Sequence, residues 1–531
     1  MFPQFPVYNS DGTYAVGNQI AMKADGYQMV ENPVALAHEI DIRNKSSRMN
    51  FNANITYDIL KQLQFKANLG TQYYTSRYNY YRPRTVGQDG DMPNSDAVQA
   101  RVKARDITNR DIDRLGEFTL NYNGEFGKHR LNALVGYTLQ KKTYDRVAVE
   151  ATGFPDDRIH EVTAHGPNAS DIGLYSSDTR KAAWTMMSYL ARVNYSFDNR
   201  YVVTGTVRTD GSSRFGKENR WGWFPSISLG WTISNEKFYQ DLLGNNSSLK
   251  LRASWGETGN MSIGNYASYG IVNGDNYVFG GIYSIGSKES TYGNPNLSWE
   301  KTSQVNLGLE IGLLNWLNVE VDVYKGMTSD MLLNVPVMEA SGFSTILQNI
   351  GKVENKGLEI TLGTNLKLGK VRWTNSFNYA MNRNKVKSLG SASEMVTQAN
   401  SVIDFITKVG EPIGNYYTYV TDGVYKNQAE IETDVANGII VPNAQPGDFR
   451  FKKFGKDDTI NADDKQITGN YMPDFTYGYS TSLRYQSFDF SLSLQGVYGN
   501  EIANINRRYL ANMEGNANQL VIAKERWQSK D

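Results

Sequence analysis

The stretch that decides the fold is NPNLSWEKTSQVNLGLEIGLLNWLNVEVDVYKGMTSDMLL, residues 294–333. Apolar and polar residues alternate in it from Val305 to Ile311 and again from Leu317 to Val323. A period of two residues gives a strand one apolar face and one polar face. The pattern therefore predicts two long strands joined by a tight turn at Leu314 and Asn315, followed by a long connection over residues 328–355.

Hairpins with the same alternation are predicted on both sides of this stretch. Their tight turns fall at residues 59–61, 126–128, 198–200, 369–370 and 486–487, and their long connections at residues 74–113, 144–182, 257–299 and 384–473. Short turns that alternate with long loops are typical of outer-membrane barrels, whose short turns face the periplasm. The sequence thus predicts an all-β protein, an antiparallel transmembrane β-barrel of which about fourteen strands are present.

The two ends of the chain fall on the same side in this topology. The first predicted strand must run inward and the last outward, so residues 1 and 531 are both expected outside. We therefore expect residues 1–531 to be a partial barrel domain, without a plug and without the terminal strands. No signal peptide is predicted in residues 1–48. A soluble β-meander or sandwich is the alternative, but its strands would be shorter and its loops more equal.

Composition narrows the class of protein further. Lys and Arg together number 55, as do Asp and Glu, which gives no support to a nucleic-acid partner. Cysteine is absent, which excludes disulfides and thiolate chemistry. The mean hydropathy is −0.51 and no apolar run reaches the length of a membrane-spanning helix. This mean hydropathy is compatible with a barrel, because apolar lipid-facing residues alternate with polar lumen-facing residues and their hydropathies cancel.

Six stretches of the sequence are distinctive: RTDGSSRFGKENRWGWFPSISLGWTISNE (208–236), LKLRASWGETGNMSIGNY (249–266), NPNLSWEKTSQVNLGLE (294–310), NIGKVENKGLEI (349–360), VGEPIGNYYTYVTDGVY (409–425) and PGDFRFKKFGKDDTINADDKQITGN (446–470). In this order they resemble the SusC/RagA-type TonB-dependent transporters of the outer membrane. The resemblance implies a barrel of about 22 strands with an N-terminal plug. It also implies energy from the TonB complex, a SusD-like lipoprotein lid and import of oligosaccharides or peptides.

One motif departs from the family pattern. After the PGD at residues 446–448 the family often reads DxNGDGxIxxxD, which resembles a calcium loop; the corresponding residues here are Lys453, Gly455, Lys456, Asp457, Asp458 and Asp464. A cation at the first ligand position and the loss of the glycine at the sharp turn both oppose calcium. We predict no metal and solvated loop carboxylates, with a weak ion on Asp457, Asp458, Asp463 and Asp464 as the alternative.

Aromatic residues in the predicted loops are the candidate ligand-binding residues, because their rings can stack on sugar faces. They are Tyr78, Tyr80, Tyr81, Trp221, Trp223, Tyr269 and Tyr277. Girdle positions at the membrane interface, or contacts to a lid, are the alternative for each. Glu320 and Asp322 alternate with valines and are expected to face a hydrated lumen. The four histidines are His38, His129, His160 and His165, and their spacing does not indicate a metal site.

Import of oligosaccharides or peptides, coupled to TonB, is the function that this resemblance implies. The expected partners are a SusD-like lipoprotein lid, the TonB complex, the imported substrate and outer-membrane lipid, with no nucleic acid and no cofactor. A passive porin or surface-binding barrel is the alternative. A surface glycan-degrading enzyme is disfavoured, because no pair of carboxylates or other convergent catalytic set is recognised.

Overall fold

The computed structural model describes residues 6–15, 31–87, 91, 93–154, 156–160, 162, 175–399, 403–439, 441, 443–511 and 519–528. Within them the strands are β1 (Asp41–Leu60), β2 (Leu63–Arg82), β3 (Lys103–Phe126), β4 (His129–Thr152), β5 (Tyr175–Phe197), β6 (Tyr201–Ser212), β7 (Trp221–Thr232), β8 (Ser248–Asn260), β9 (Ile271–Phe279), β10 (Ile282–Thr291), β11 (Glu300–Leu313), β12 (Leu317–Pro336), β13 (Thr345–Leu368), β14 (Val371–Leu389), β15 (Glu394–Ala399), β16 (Ile403–Lys408), β17 (Asn415–Thr418), β18 (Thr421–Val424), β19 (Phe449–Phe451), β20 (Gln466–Gly469), β21 (Phe475–Tyr485) and β22 (Phe488–Tyr498).

The helices are short and lie between strands or near the two chain ends. They are α1 (Pro33–Glu39), α2 (Asp96–Gln99), α3 (Lys237–Leu243), α4 (Gln428–Ala436) and α5 (Asn506–Leu510). None of the helices within the described ranges has both the length and the apolar character needed to cross a membrane.

Fourteen strands form one antiparallel sheet in the order β1-β2-β3-β4-β5-β6-β7-β8-β11-β12-β13-β14-β21-β22. This confirms the prediction of about fourteen antiparallel strands. The other strands form a β9–β10 hairpin, a four-stranded sheet β15-β16-β17-β20 and a β18–β19 pair. Those small sheets are inserted in long connections, all at one end of the main sheet.

The register gives the main sheet two chemically different faces. Leu307, Val323 and Leu358 lie directly opposite one another on β11, β12 and β13. The next residues along the same strands, including Gly308 and Asp322, form the matching row on the other face. Leu307 is 48% exposed and Val323 44% exposed in the isolated chain. Such an apolar surface suits lipid, so we call this face the outer face and the polar one the inner face.

The tight turns are confirmed, but the long connections were predicted too long. The β11–β12 turn contains Leu314 and Asn315, both with positive φ. After it β12 extends to Pro336 and β13 begins at Thr345, so the predicted connection of residues 328–355 shrinks to residues 337–344. The register shifts after Thr328, which interrupts the alternation while backbone pairing continues. Residues 83–102 and 153–174 similarly replace the predicted connections of residues 74–113 and 144–182.

Candidate functional site

A groove of about 600 Å³ lies on the inner face of β2, β3 and β4, toward their long-connection ends. Alternation places every second residue of each strand in its wall. The lining residues are Tyr74, Ser76, Tyr78, Arg105, Ile107, Asn109, Asp111, Tyr144 and Arg146. The groove therefore combines three tyrosine rings with amide, hydroxyl and charged groups.

Hydrogen bonds across three strands hold the base of the groove. The Tyr144 hydroxyl donates to Oδ1 of Asn109 at 3.0 Å, and Nδ2 of Asn109 donates to Oγ of Ser76 at 3.2 Å. Asn109 lies directly opposite Ser76 on one side and Arg146 on the other. This network fixes the Tyr144 ring, and the oxygen of its hydroxyl can still accept a hydrogen bond.

The charges of the groove are only loosely paired. Nε of Arg146 is buried, lies 3.9 Å from Asp178 and has no hydrogen-bond partner in the described part of the chain. Nε of Arg105 lies 3.5 Å from Glu150. The guanidinium of Arg48 lies over the Tyr74 ring, 5.3 Å from its centroid. A ligand carboxylate or hydroxyl could therefore bind the arginines while the tyrosine rings contact its carbon skeleton.

The three predicted tyrosines of the first long loop lie on strand β2 instead. Tyr78 lines the groove, and Tyr80 is on the same inner face. Tyr81 is only 4% exposed, its ring stacks on His160 at 4.0 Å and its hydroxyl donates to Asp157 at 3.0 Å. Tyr81 therefore packs the end of β2 against the connection that follows β4, and its role as a ligand residue stays a prediction.

Trp221 and Trp223 were also assigned to a loop, but both lie on β7 and face outward. Trp223 is opposite Thr209 and Trp221 is opposite Gly211, in the rows that contain the apolar outer residues. The Trp221 ring stacks on Tyr189 at 6.0 Å, and the two tryptophans are 45% and 61% exposed. Exposed Trp and Tyr on the lipid face form the aromatic girdle of a barrel. Their outward position favours the girdle interpretation, and the role of these two as ligand residues stays a prediction.

Tyr269 and Tyr277 belong to the connection between β8 and β11. Tyr269 precedes strand β9 and is 54% exposed, whereas Tyr277 is on β9 and is 60% exposed. Both stand apart from the groove, and their role as ligand residues stays a prediction. Sequence reasoning missed Tyr144 and Arg146. The alternation of polar residues beyond Leu139 would have placed both on an inner strand face.

Ion pairs connect β8, β11 and β12 on the inner face. Arg252 lies 2.7 Å from Glu310, 2.5 Å from Glu320 and 3.1 Å from Asp322. Lys250 lies 3.3 Å from Glu310. The expectation that Glu320 and Asp322 face away from lipid agrees with this register. Each of these three carboxylates contacts a cation, which is the arrangement of a structural ion-pair network.

The loop between β19 and β20 contains a lysine where the family pattern has a metal ligand. Nζ of Lys453 lies 2.6 Å from Asp457 Oδ1, 3.2 Å from the Thr459 carbonyl oxygen and 3.2 Å from each carboxylate oxygen of Asp464. Counted from Lys453, these are the fifth, seventh and twelfth residues, which are ligand positions in a calcium loop. The ammonium group thus occupies the centre of the loop.

Asp464 is fully buried, so the prediction of a solvated carboxylate was wrong for this residue. It accepts hydrogen bonds from the backbone N–H groups of Phe454, Gly455 and Asn461 at 2.7, 2.7 and 3.0 Å. Burial alone would raise the pKa of Asp464, but these hydrogen bonds and Lys453 lower it to about 2. Within the described residues no group of three or more His, Asp or Glu side chains is arranged to hold a metal ion.

Two histidines take part in packing. His160 stacks on Tyr81, and Nδ1 of His129 is 2.6 Å from the Tyr195 hydroxyl. His165 lies outside the described residues.

An antiparallel sheet of long strands with an apolar outer face, an aromatic girdle and a polar inner face is the wall of a transmembrane β-barrel. The chain belongs to the TonB-dependent receptor-like β-barrel family, whose model matches residues 4–516. It is therefore an outer-membrane protein, and its family is one of transporters rather than enzymes.

Several curated relatives and solved structures are similar to this chain. TonB-dependent receptor P3 of Formosa agariphila is 31% identical over 94% of this chain and 49% of its own length. TonB-dependent receptor SusC of Bacteroides thetaiotaomicron is 34% identical over 60% of this chain and 32% of its own length. The structure of the RagAB peptide transporter is similar with a TM-score of 0.80 and 26% identity, over 98% of this chain and 55% of that one. The chain thus spans about half the length of receptor P3 and of the RagAB transporter chain that it matches.

Proposed function

We propose that this chain is the barrel part of an energy-coupled outer-membrane importer of oligosaccharides or peptides, and that residues 1–531 belong to one barrel domain. The observation that carries the proposal is the inner-face groove on β2, β3 and β4, with its tyrosine rings and loosely paired arginines. A polymer of sugars or amino acids offers the flat carbon surfaces and hydrogen-bonding groups that such a lining binds.

Energy coupling follows from the size of the barrel. A spanning sheet must close to satisfy its edge N–H and C=O groups, and closure at about 22 strands, the number that the family resemblance implies, leaves a wide lumen. A wide open lumen would leak, so a plug is required, and passage of a substrate requires its movement. The TonB complex is the proposed source of this energy. The relatives support the assignment, since one is named a peptide transporter and others are named TonB-dependent receptors.

A SusD-like lipoprotein is the proposed partner at the long-connection end of the sheet. That end carries the β9–β10 hairpin and the inserted sheets of residues 390–474, which provide a large surface for a lid. The pairing is also what the resemblance to SusC/RagA-type transporters implies, and a similar structure is titled the RagAB peptide transporter. Co-purification of a lipoprotein with the tagged native protein would test it, and a receptor that purifies alone under mild solubilisation would contradict it.

Uptake in the native host tests the central claim. Fluorescent oligosaccharides and peptides are supplied separately to cells with and without the gene, and periplasmic label is measured before and after a protonophore. We expect gene-dependent uptake of one ligand class that stops with the protonophore. Gene-dependent uptake that continues without energy would replace the proposal with a passive porin. Uptake of neither class would refute the proposed substrates.

A further inference from the structure

The outer face of the sheet carries two cations that have no carboxylate beside them. Arg114 on β3 lies directly opposite Lys141 on β4, and both are exposed. Neither is within ion-pair distance of an Asp or Glu among the described residues. Like charges directly opposite each other destabilise a strand pair unless an anion lies between them. Two outward rows farther along the same strands, Arg110 is paired with Asp145 at 2.5 Å, so the unpaired cations are a local feature.

The strand register places these cations at the outer edge of the lipid-facing band. On β4 the outward residues from the short turn are Leu131, Ala133, Val135, Tyr137 and Leu139, and Lys141 follows them. A transmembrane strand needs roughly 9–11 residues to cross the hydrocarbon core. Lys141 therefore lies just beyond the hydrocarbon on the long-connection side, at the depth of lipid headgroups.

An apolar groove of about 720 Å³ opens directly below the two cations on the same face. Its lining includes Leu69, Phe118, Leu139, Met187 and Trp221, with Arg114, Lys141 and Arg220 at its polar end. Nε of Arg220 is buried and has no hydrogen-bond partner in the described part of the chain.

Gly211 makes room for the wall of this groove. A Cβ atom at Gly211 would lie 2.8 Å from the Trp221 ring, so the missing side chain lets the indole lie flat over the strand. The concave apolar surface has the shape that an acyl chain would fill.

We propose that this groove is a binding site for a phosphate-bearing lipid of the outer leaflet, with the phosphate between Arg114 and Lys141 and an acyl chain against Leu139, Met187 and Trp221. A phosphate neutralises the two opposed cations, and each basic residue near the headgroup layer adds to the attraction. The position of this lipid site follows from the outer face of the sheet, and it does not depend on which substrate the lumen transports.

Native mass spectrometry of the full-length purified protein tests the site. The probes are monophosphoryl lipid A, phosphatidylcholine and inorganic phosphate, and the variants are Arg114→Gln, Lys141→Gln and Leu139→Trp. We expect wild type to retain lipid A in preference to phosphatidylcholine. Each loss of a cation should weaken retention about fivefold, and the tryptophan should block it by filling the groove.

Lys128→Gln is the matched control, because Lys128 sits at the opposite, short-turn edge and pairs with Asp198 at 2.9 Å. It should retain lipid A like wild type. Equal retention by wild type, Arg114→Gln and Lys141→Gln would overturn the proposal. Competition by inorganic phosphate as effective as that by lipid A would show a free-anion site and would also overturn it. If Leu139→Trp does not fold, Arg114→Gln and Lys141→Gln still test the lipid site.

Discussion

Arg252 and Asp322 bind each other across an intervening strand. Arg252 is on β8 and Asp322 on β12, and β11 runs between them, yet Nη2 of Arg252 is 3.1 Å from Oδ2 of Asp322. The residue of β11 that lies opposite both is Gly308. Because Gly308 has no side chain, the guanidinium can extend over the strand, and three strands are joined by one ion-pair network on the inner face.

Replacing Gly308 by valine should break this bridge. A Cβ atom there would lie 2.5 Å from Oδ1 of Asp322 and 3.0 Å from Cζ of Arg252, so both side chains must move. We expect the free energy of unfolding to fall by about 1 to 3 kcal/mol, as in other overpacked sites. Urea unfolding in lipid would measure it. Gly363→Val is the control, because its Cβ atom would meet only Asn318 Cβ at 3.9 Å on the same face; an equal loss in both variants would contradict the bridge.

The assignment of the two faces predicts opposite outcomes for arginine at one depth. Val321 faces outward between Leu309 and Ile360, and Val321→Arg should destabilise the barrel by about 2 to 4 kcal/mol near the bilayer midplane. Thr361 lies on the inner face opposite Glu320, so Thr361→Arg should be nearly neutral. The same unfolding measurement compares them. Equal destabilisation would mean that the inner and outer faces are assigned wrongly.

Tyr78 should matter for ligand binding if the groove on β2, β3 and β4 is the substrate site. Loss of a stacked ring in Tyr78→Ala should weaken substrate binding by about two- to tenfold, the range expected for one aromatic contact. Calorimetric titration of the purified receptor with its transported ligand would measure this. Tyr189→Ala removes a ring from the outer face and should leave the affinity unchanged. A Tyr78→Ala protein with full affinity would remove this groove from the proposal.

The lysine-centred loop should respond to calcium only after substitution of Lys453. In the wild type, hydrogen exchange of residues 449–469 should be the same with calcium and with EDTA. In Lys453→Asp the new carboxylate should repel buried Asp464, so hydrogen exchange of the loop in EDTA should become about tenfold faster or more. Calcium should reverse this increase in exchange.

Lys456→Asp makes the same charge change at an exposed position of that loop and should behave as wild type. Calcium-dependent protection of the wild type would contradict the central role of the ammonium. Lys453→Met, which keeps the length without the charge, should loosen the loop with no calcium response.

The same loop should resist acid down to unusually low pH. Asp464 has a folded-state pKa of about 2 against an ordinary value of 3.8, so its ionised form stabilises the loop above about pH 4. That contribution is lost as the pH falls through about 2. The charged groups facing it are Lys453 and Asp457, and hydrogen bonding to Lys453 also lowers the pKa of Asp457.

Pepsin cleavage within residues 449–469 should therefore stay slow at about pH 4 and accelerate toward pH 2. Asp464→Asn should be cleaved readily at both pH values because it lacks the ionised carboxylate. A wild-type loop that is already open at about pH 4 would contradict the depressed pKa.

Sequence reasoning identified the strands and their faces because alternation is a local property. Residues 305–311 and 317–323 show one apolar and one polar side whatever strand lies beside them, and the turn at Leu314 and Asn315 follows from their spacing. The outward position of Val321 and the inward position of Asp322 could thus be predicted. The boundaries could not, since strand pairing continues beyond Thr328 where the alternation is interrupted by a register shift.

What the sequence by itself determined is therefore the class of the fold, the number of strands and the family pattern. Only the tertiary structure decided that Tyr78 lines a groove while Tyr81 is packed and Trp221 faces lipid, and that the Lys453 ammonium lies among the oxygens of Asp457, Thr459 and Asp464. The physical reason is that the face on which a side chain lies depends only on whether its position in its own strand is odd or even. A site depends on which residues of neighbouring strands and loops are brought opposite each other. That register is fixed by backbone hydrogen bonds between segments far apart in the chain.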